Sequence, residues 1–264
     1  AQVLIETGTV LFCEGDLTQA GELCNKGLIL AREAGDSLGA ALALRELGGM
    51  AWQQGDRVAA RTLAEESLNL RRAMGDKRGI ASSLLDLGSV VCEQGDYAKA
   101  RMLYEESLSM RSGMGDKSGI ADSLYMLGKL AYWQGEYVAA RASFEESLSL
   151  CREMGDKSAI ALALTHLGNV VSSQSDYAAA QALHEESLRL CREMGFKLGS
   201  AIALVDVGYE AYLQGDYIKA RLSYEECLAL CKEMDEKQVM AYALFGLGLL
   251  DLTVNKPEAR EHIL

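Results

Sequence analysis

The sequence predicts an all-α solenoid built from stacked pairs of antiparallel helices. Three observations predict it: a fixed repeat of forty residues, two helical stripes of apolar residues in each repeat, and a single proline among 264 residues. Residues 77–116 and 117–156 are identical at 21 of 40 aligned positions, with no insertion. A period of this size is typical of a solenoid, in which each repeat buries its apolar face only against its neighbours.

Residues 77–116 show the predicted helix pair. In the first half, apolar residues recur three or four positions apart, at Ile80, Ala81, Leu84, Leu87 and Val91. In the second half they recur in the same way, at Tyr97, Ala100, Leu103, Tyr104, Leu108 and Met114. This spacing places each set on one face of a helix of about 17 residues. Gly95–Asp96 and Gly115–Asp116 separate the helices, because Gly ends a helix in the left-handed conformation and Asp caps the next one.

A glycine recurs in the middle of each predicted first helix, as at Gly88. Glycine costs about 1 kcal/mol against alanine there, so its recurrence indicates a close approach between the two helices of a pair. We expect Ala100 and its counterparts in the second helix to face these glycines.

The spacing resembles the tetratricopeptide repeat. The family's Leu-Gly pair matches Leu87–Gly88, its second-helix alanine matches Ala100, its large aromatic residue matches Tyr104, and its later small residue matches Ser107. Two positions depart from the pattern, since Leu84 replaces the early Trp and Val91 the Tyr. Each repeat also has forty residues rather than thirty-four, which is similar to the arrays of bacterial signal-transduction ATPases with numerous domains, kinesin light chains and spindle-orientation adaptors. The resemblance implies a right-handed superhelix with a concave groove lined by first helices.

We expect one solenoid domain over residues 1–264. Its repeats are 1–36 (partial), 37–76, 77–116, 117–156, 157–196, 197–236 and 237–264 (partial), which gives fourteen helices, the last beginning at Pro257. Because the chain starts without methionine and its last helix is short, we expect it to be part of a longer protein.

The composition argues against several classes of partner and site. A net charge of −12 disfavours nucleic-acid binding and is compatible with a basic or extended protein partner, although solubility explains the charge as well. We found neither a signal peptide nor a long, uniformly apolar run, so we expect no membrane partner. The seven cysteines form neither a disulfide framework nor a metal-ligand spacing, which predicts a reducing, cytoplasmic location.

No constellation of catalytic residues is recognisable. The three histidines, His166, His184 and His262, are scattered, and the recurring Glu-Glu pairs are typical of a solvated helix face. No phosphate-binding glycine-rich loop occurs. We therefore expect a protein that is not an enzyme and needs no cofactor or metal.

The resemblance places the groove at positions 42, 45, 49, 52 and 53 and at forty-residue intervals after them. Aromatic residues concentrate there, and clustered exposed aromatics are typical of binding surfaces. Three polar residues occupy the same surface. The candidate binding residues are Arg45, Trp52, Tyr125, Lys129, Tyr132, Trp133, Asn169, Tyr209, Tyr212, Tyr242 and Phe245. The alternative is that the aromatic rings only pack between adjacent first helices.

The leading interpretation is a non-catalytic interaction or sensing module that binds a peptide, a protein segment or a small effector in the groove, as part of a larger signalling protein. The alternative is a structural scaffold that self-associates end to end through its terminal repeats.

Overall fold

The computed structural model describes residues 1–13 and 15–254. This part of the chain forms thirteen α-helices and no strand, which confirms the predicted all-α class of stacked helix pairs. The predicted fourteenth helix at Pro257 lies outside the described residues. The helices are α1 (Gln2–Cys13), α2 (Leu17–Glu33), α3 (Ser37–Gln53), α4 (Arg57–Met74), α5 (Lys77–Glu93), α6 (Tyr97–Met114), α7 (Lys117–Trp133), α8 (Tyr137–Met154), α9 (Lys157–Ser173), α10 (Tyr177–Glu193), α11 (Lys197–Leu213), α12 (Tyr217–Met234) and α13 (Lys237–Val254).

The helix boundaries follow the predicted glycine–aspartate turns. The Asp96 carboxylate accepts a hydrogen bond from the Lys99 backbone amide at 3.1 Å and so caps α6. Gly95 and Gly115 adopt left-handed φ angles of 85° and 65°. Within residues 1–13 and 15–254, two residues other than glycine adopt this conformation, Ser175 with φ 67° and Asp235 with φ 54°.

The chain divides into two compact halves, residues 1–130 and residues 131–264, with the division inside α7. In the N-terminal half, α1 to α6 pack successively, and Leu44, Leu84 and Val91 are fully buried between them. In the C-terminal half, α8 to α13 pack in the same order around Leu204 and Leu250.

The mid-helix glycines permit close packing within each pair, as predicted. A Cβ atom added to Gly208 would lie 2.7 Å from the ring of Tyr224, and one added to Gly88 would lie 2.4 Å from the ring of Tyr104. At Gly48 the expected alanine does lie next to the glycine, with the Ala60 carbonyl oxygen 3.7 Å from the added Cβ, whereas at Gly88 the nearest atoms belong to the Tyr104 ring, four residues beyond Ala100. The reason is that the buried ring, rather than the short alanine, reaches across to the first helix.

One helix, α13, has the length and mean hydropathy (1.2) of a membrane-crossing segment, although no uniformly apolar run was recognised in the sequence. It contains few charges, and it packs on α11 and α12 in the way that first helices pack elsewhere in this half. Its buried residues Ala243 and Leu250 account for part of the apolar character.

Candidate functional site

The first helices of the N-terminal half form a cavity of about 310 Å³, which we call the Trp52 cavity. Residues of α1, α3, α4 and α5 line it: Phe12, Arg45, Glu46, Gly48, Gly49, Trp52, Ala60, Ala64, Ser83, Asp86, Ser89 and Val90. Two predicted binding residues, Arg45 and Trp52, thus lie together. The guanidinium of Arg57 lies 5.6 Å from the centroid of the Trp52 ring, a cation–π distance.

The charges of the Trp52 cavity are of both signs. Arg45 forms an ion pair with Glu46 at 3.3 Å between guanidinium nitrogen and carboxylate oxygen. Burial raises the pKa of Asp86, while Arg45 and Arg71 oppose that increase. Acidic groups on this surface are therefore accompanied by arginines of the same half.

Tyr125 and Lys129 interact on one face of α7. The Lys129 ammonium lies 5.7 Å from the centroid of the Tyr125 ring, and both side chains are half-buried. Burial lowers the pKa of Lys129 and raises that of Tyr125. The two predicted residues therefore form a single cation–π pair.

The C-terminal half contains a second cavity, of about 370 Å³, which we call the Glu210 cavity. It is lined by Tyr132, Asn169, Ser172, Ser173, Ser175, Tyr177, Asp206, Tyr209, Glu210 and Leu213. Three predicted binding residues, Tyr132, Asn169 and Tyr209, come from three successive repeats and meet here. The Tyr132 and Ser173 hydroxyls lie 3.4 Å apart, which links the end of α7 to the end of α9.

Two carboxyl groups one helical turn apart, Asp206 and Glu210, dominate the electrostatics of the Glu210 cavity. Burial, with the neighbouring Glu210 as a second cause, raises the pKa of Asp206 to about 7. Burial also raises the pKa of Glu210, and a hydrogen bond from Ser172 partly offsets this. Near neutral pH the Asp206 carboxyl is therefore poised between its protonated and ionised states.

The other predicted residues lie outside the two cavities. Trp133 is 52 % exposed at the end of α7, and Tyr242 and Phe245 are exposed on α13. Tyr212 is half-buried, and its hydroxyl lies 3.1 Å from that of Thr253, so its ring packs between two first helices. Tyr132 makes the equivalent contact with Ser173 and also lines the Glu210 cavity, so packing between first helices and lining a cavity are compatible roles.

Sequence reasoning did not identify the acidic residues of either cavity. Glu46, Asp86, Asp206 and Glu210 were not singled out, because charged residues on helices are usually solvated. One signal was present in the alignment of the repeats, since Glu210 occupies a position that is otherwise apolar. That position holds Met50, Val90, Leu130, Val170 and Leu250 in the other repeats.

Histidines and cysteines occupy the packed interior in the described part of the chain. His184 is fully buried in the position of Tyr104 and Tyr224; burial lowers its pKa to about 4. His166 stacks on Phe144 with ring centroids 5.6 Å apart, and His262 lies outside the described residues. Within the described residues, six free cysteines are buried and no cluster of three or more His, Cys, Asp or Glu could hold a metal ion.

The repeated scaffold matches a known family profile. The profile of the tetratricopeptide repeat matches residues 1–73, 48–113, 79–153, 119–193 and 159–233, which together cover most of the chain. The chain belongs to the tetratricopeptide repeat family. The two departures at Leu84 and Val91 are accommodated in this array, since both side chains are fully buried. No curated protein sequence matches the chain.

Solved structures share the fold of this tetratricopeptide repeat protein. BtubC (BKLC) from P. vanneervenii is similar with a TM-score of 0.72 and 17 % identity, over 84 % of this chain and 93 % of that one. A signal-transduction ATPase with numerous domains and a tetratricopeptide repeat sensor, from Pyrococcus horikoshii, is similar with a TM-score of 0.70 and 17 % identity, over 86 % of this chain and 34 % of that one. NprR in complex with its cognate peptide NprX is similar with a TM-score of 0.68 and 13 % identity, over 94 % of this chain and 71 % of that one. At these identities the similarity shows the fold alone.

Proposed function

We propose that this chain is a non-catalytic recognition module whose first-helix surfaces bind a peptide or an extended segment of a protein partner. The observation that carries the proposal is the Glu210 cavity, where Tyr132, Asn169 and Tyr209 of three successive repeats line one space. Its volume lies within the range typical of ligand sites. Its lining combines three tyrosine rings and Leu213 with six polar residues, so it is more polar than most ligand sites.

Two further observations support this function. Positions that recur every forty residues form most of the core, whereas four of the residues that line the cavities occupy positions that differ between repeats and are therefore free to encode recognition, namely Arg45, Trp52, Asn169 and Tyr209. The similar NprR structure holds a peptide, and the similar archaeal ATPase carries its repeats as a sensor. A sensor arm of a larger signalling protein is thus the cellular role that we propose for the array.

The test is selection of random heptapeptides displayed on phage, with the whole chain as bait, followed by calorimetric titration of the synthesised peptides. Tyr209→Ala should weaken binding at least tenfold, because truncated interface aromatics lose about 1–2 kcal/mol or more. The matched control is Tyr97→Ala, since Tyr97 is 39 % exposed against 45 % for Tyr209 but lies outside both cavities. The proposal is contradicted if no peptide is enriched over an unrelated helical protein, or if both variants bind as the wild type does.

A further inference from the structure

Glu210 is the exception at a position that otherwise builds the core. From residue 37 onward, the corresponding residues of the other five repeats are apolar and buried, namely Met50, Val90, Leu130, Val170 and Leu250, whereas Val10 of the first, partial repeat is apolar but exposed. Glu210 is as buried as those five residues, with 1 % of its surface exposed. A buried carboxylate is costly unless a cation or several hydrogen-bond donors accompany it.

The compensation for the buried carboxyl groups is incomplete within the described residues. Ser172 donates a hydrogen bond to Glu210, but the Glu210 Oε2 atom and the Asp206 Oδ2 atom are buried without a hydrogen-bond partner in this part of the chain. The described lining of the Glu210 cavity contains no Lys, Arg or His. Asp206 and Glu210 therefore line a space whose described lining provides no cation.

A second costly departure from the repeat lies in the same lining. Ser175 adopts a left-handed φ of 67°, at a turn position where other repeats place glycine. The corresponding residues Gly15, Gly55, Gly95, Gly135 and Gly215 all have positive φ. Strained backbone residues cluster at functional sites, and this one lies in the lining of the same cavity as Asp206 and Glu210.

We infer that the Glu210 cavity binds a primary alkylammonium group, supplied by the lysine side chain or the N-terminal amine of a bound peptide. The inference rests on the proposed function and specifies the chemistry of its ligand. An ammonium has three N–H donors, and the lining of the cavity offers them the carboxyl groups of Asp206 and Glu210 and the side-chain carbonyl of Asn169 as acceptors.

The remaining lining suits an ammonium on an alkyl stem better than a metal ion. Tyr132, Tyr177 and Tyr209 provide aromatic faces that attract organic cations and cover their methylene groups. Two carboxyl groups provide fewer ligands than the six to eight oxygens that Ca²⁺ requires. The cavity, at about 370 Å³, also has far more room than a bare ion needs.

The experiment compares two probes that differ only in the charged group. N-acetyl-lysine N-methylamide and N-acetyl-norleucine N-methylamide are titrated into the whole chain at pH 8, with the Asn169 side-chain amide followed by NMR. We expect the lysine probe to bind at least tenfold more tightly than the norleucine probe. Cadaverine provides a second arm: tighter binding of this free diamine, with the same dependence on Glu210, supports the ammonium site and assigns it to small amines rather than peptides.

The variants distinguish binding in the Glu210 cavity from a general effect of the protein's net charge on affinity. Glu210→Gln and Glu210→Leu should each weaken lysine binding at least tenfold. Glu185→Gln is the matched control, because it removes one negative charge from α10 at an exposed pair with Lys219 outside the cavity, and it should change affinity less than twofold.

Three results overturn the inference: equal affinity of both probes, wild-type affinity in Glu210→Leu, or displacement of the lysine probe by micromolar Ca²⁺. Selected heptapeptides that bind through Tyr209 without any need for a lysine or a free amine overturn it as well, while the proposed function stands. Failure to select any peptide contradicts the proposed function, whereas retention of lysine-probe binding in that case still supports the ammonium site.

Discussion

The Trp52 cavity and the Glu210 cavity are built on the same repeated scaffold but differ in charge. In the Trp52 cavity, Glu46 pairs with Arg45, and the arginines of that half also oppose the increase in the pKa of Asp86. In the Glu210 cavity, Asp206 and Glu210 each retain an unpartnered buried oxygen within the described structure. We infer from this difference that the forty-residue repeat determines the packing, whereas a few variable positions determine what each surface can bind.

The pH dependence of stability should distinguish the two cavities most strongly. The pKa of Asp206 is raised from 3.8 to about 7 in the folded chain, so its protonated form is favoured by folding. The resulting stability is present below pH 4 and is lost as pH rises through 7. Relative to Asp206→Asn, the wild type should therefore lose up to roughly 4 kcal/mol between pH 4 and pH 8.

Amide hydrogen exchange of α11, corrected for the intrinsic effect of pH, measures this loss locally. Asp86→Asn is the comparison in the other half, measured on α5, and should show a smaller change because Arg45 and Arg71 favour the ionised form of Asp86. Equal pH-dependent losses of stability around Asp206 and Asp86 would mean that Arg45 and Arg71 do not offset the cost of ionising Asp86.

Alanine should have opposite effects at two of the mid-helix glycines, Gly208 in the C-terminal half and Gly48 in the N-terminal half. A Cβ atom at Gly208 would lie 2.7 Å from the buried Tyr224 ring, so Gly208→Ala should destabilise by about 1–3 kcal/mol. At Gly48 the nearest atom would be the Leu63 Cβ at 3.5 Å, an ordinary contact, so Gly48→Ala should stabilise by up to about 1 kcal/mol. Urea unfolding followed by circular dichroism measures both changes, and a shift of the same sign for both would refute this account of the packing.

A smaller effect is expected at the strained turn of the Glu210 cavity. Ser175→Gly should stabilise by about 1 kcal/mol, because glycine reaches the left-handed conformation without a steric penalty. The equivalent turn in the N-terminal half already has glycine at Gly95, where Gly95→Ser should destabilise by a similar amount. Thermal unfolding of the two variants gives the comparison, and an unchanged midpoint for Ser175→Gly would show that the turn stores no strain.

The scaffold could be predicted from the sequence because the same pattern of apolar residues and turns recurs in each repeat. Turns such as Gly95–Asp96 and the close approach at Gly88 are local consequences of residue type, and five full copies reinforce the pattern. The candidate site was predicted only in part: Tyr132, Asn169 and Tyr209 were expected on one surface and line one cavity. Asp206 and Glu210 were missed, since a lone sequence does not show that a glutamate is buried or that its carboxyl oxygen lacks a partner.

The central claim is that Glu210 is kept for binding at the expense of stability. The most direct test is the free energy of opening of α11 in Glu210→Leu and in the wild type at pH 7 without ligand, measured by hydrogen exchange. Leucine restores the residue type found at Leu130 and Leu250, so the account predicts that the variant is more stable by on the order of 1–3 kcal/mol. A less stable variant would contradict the account, because it would show that the Glu210 carboxyl is satisfied by the protein itself.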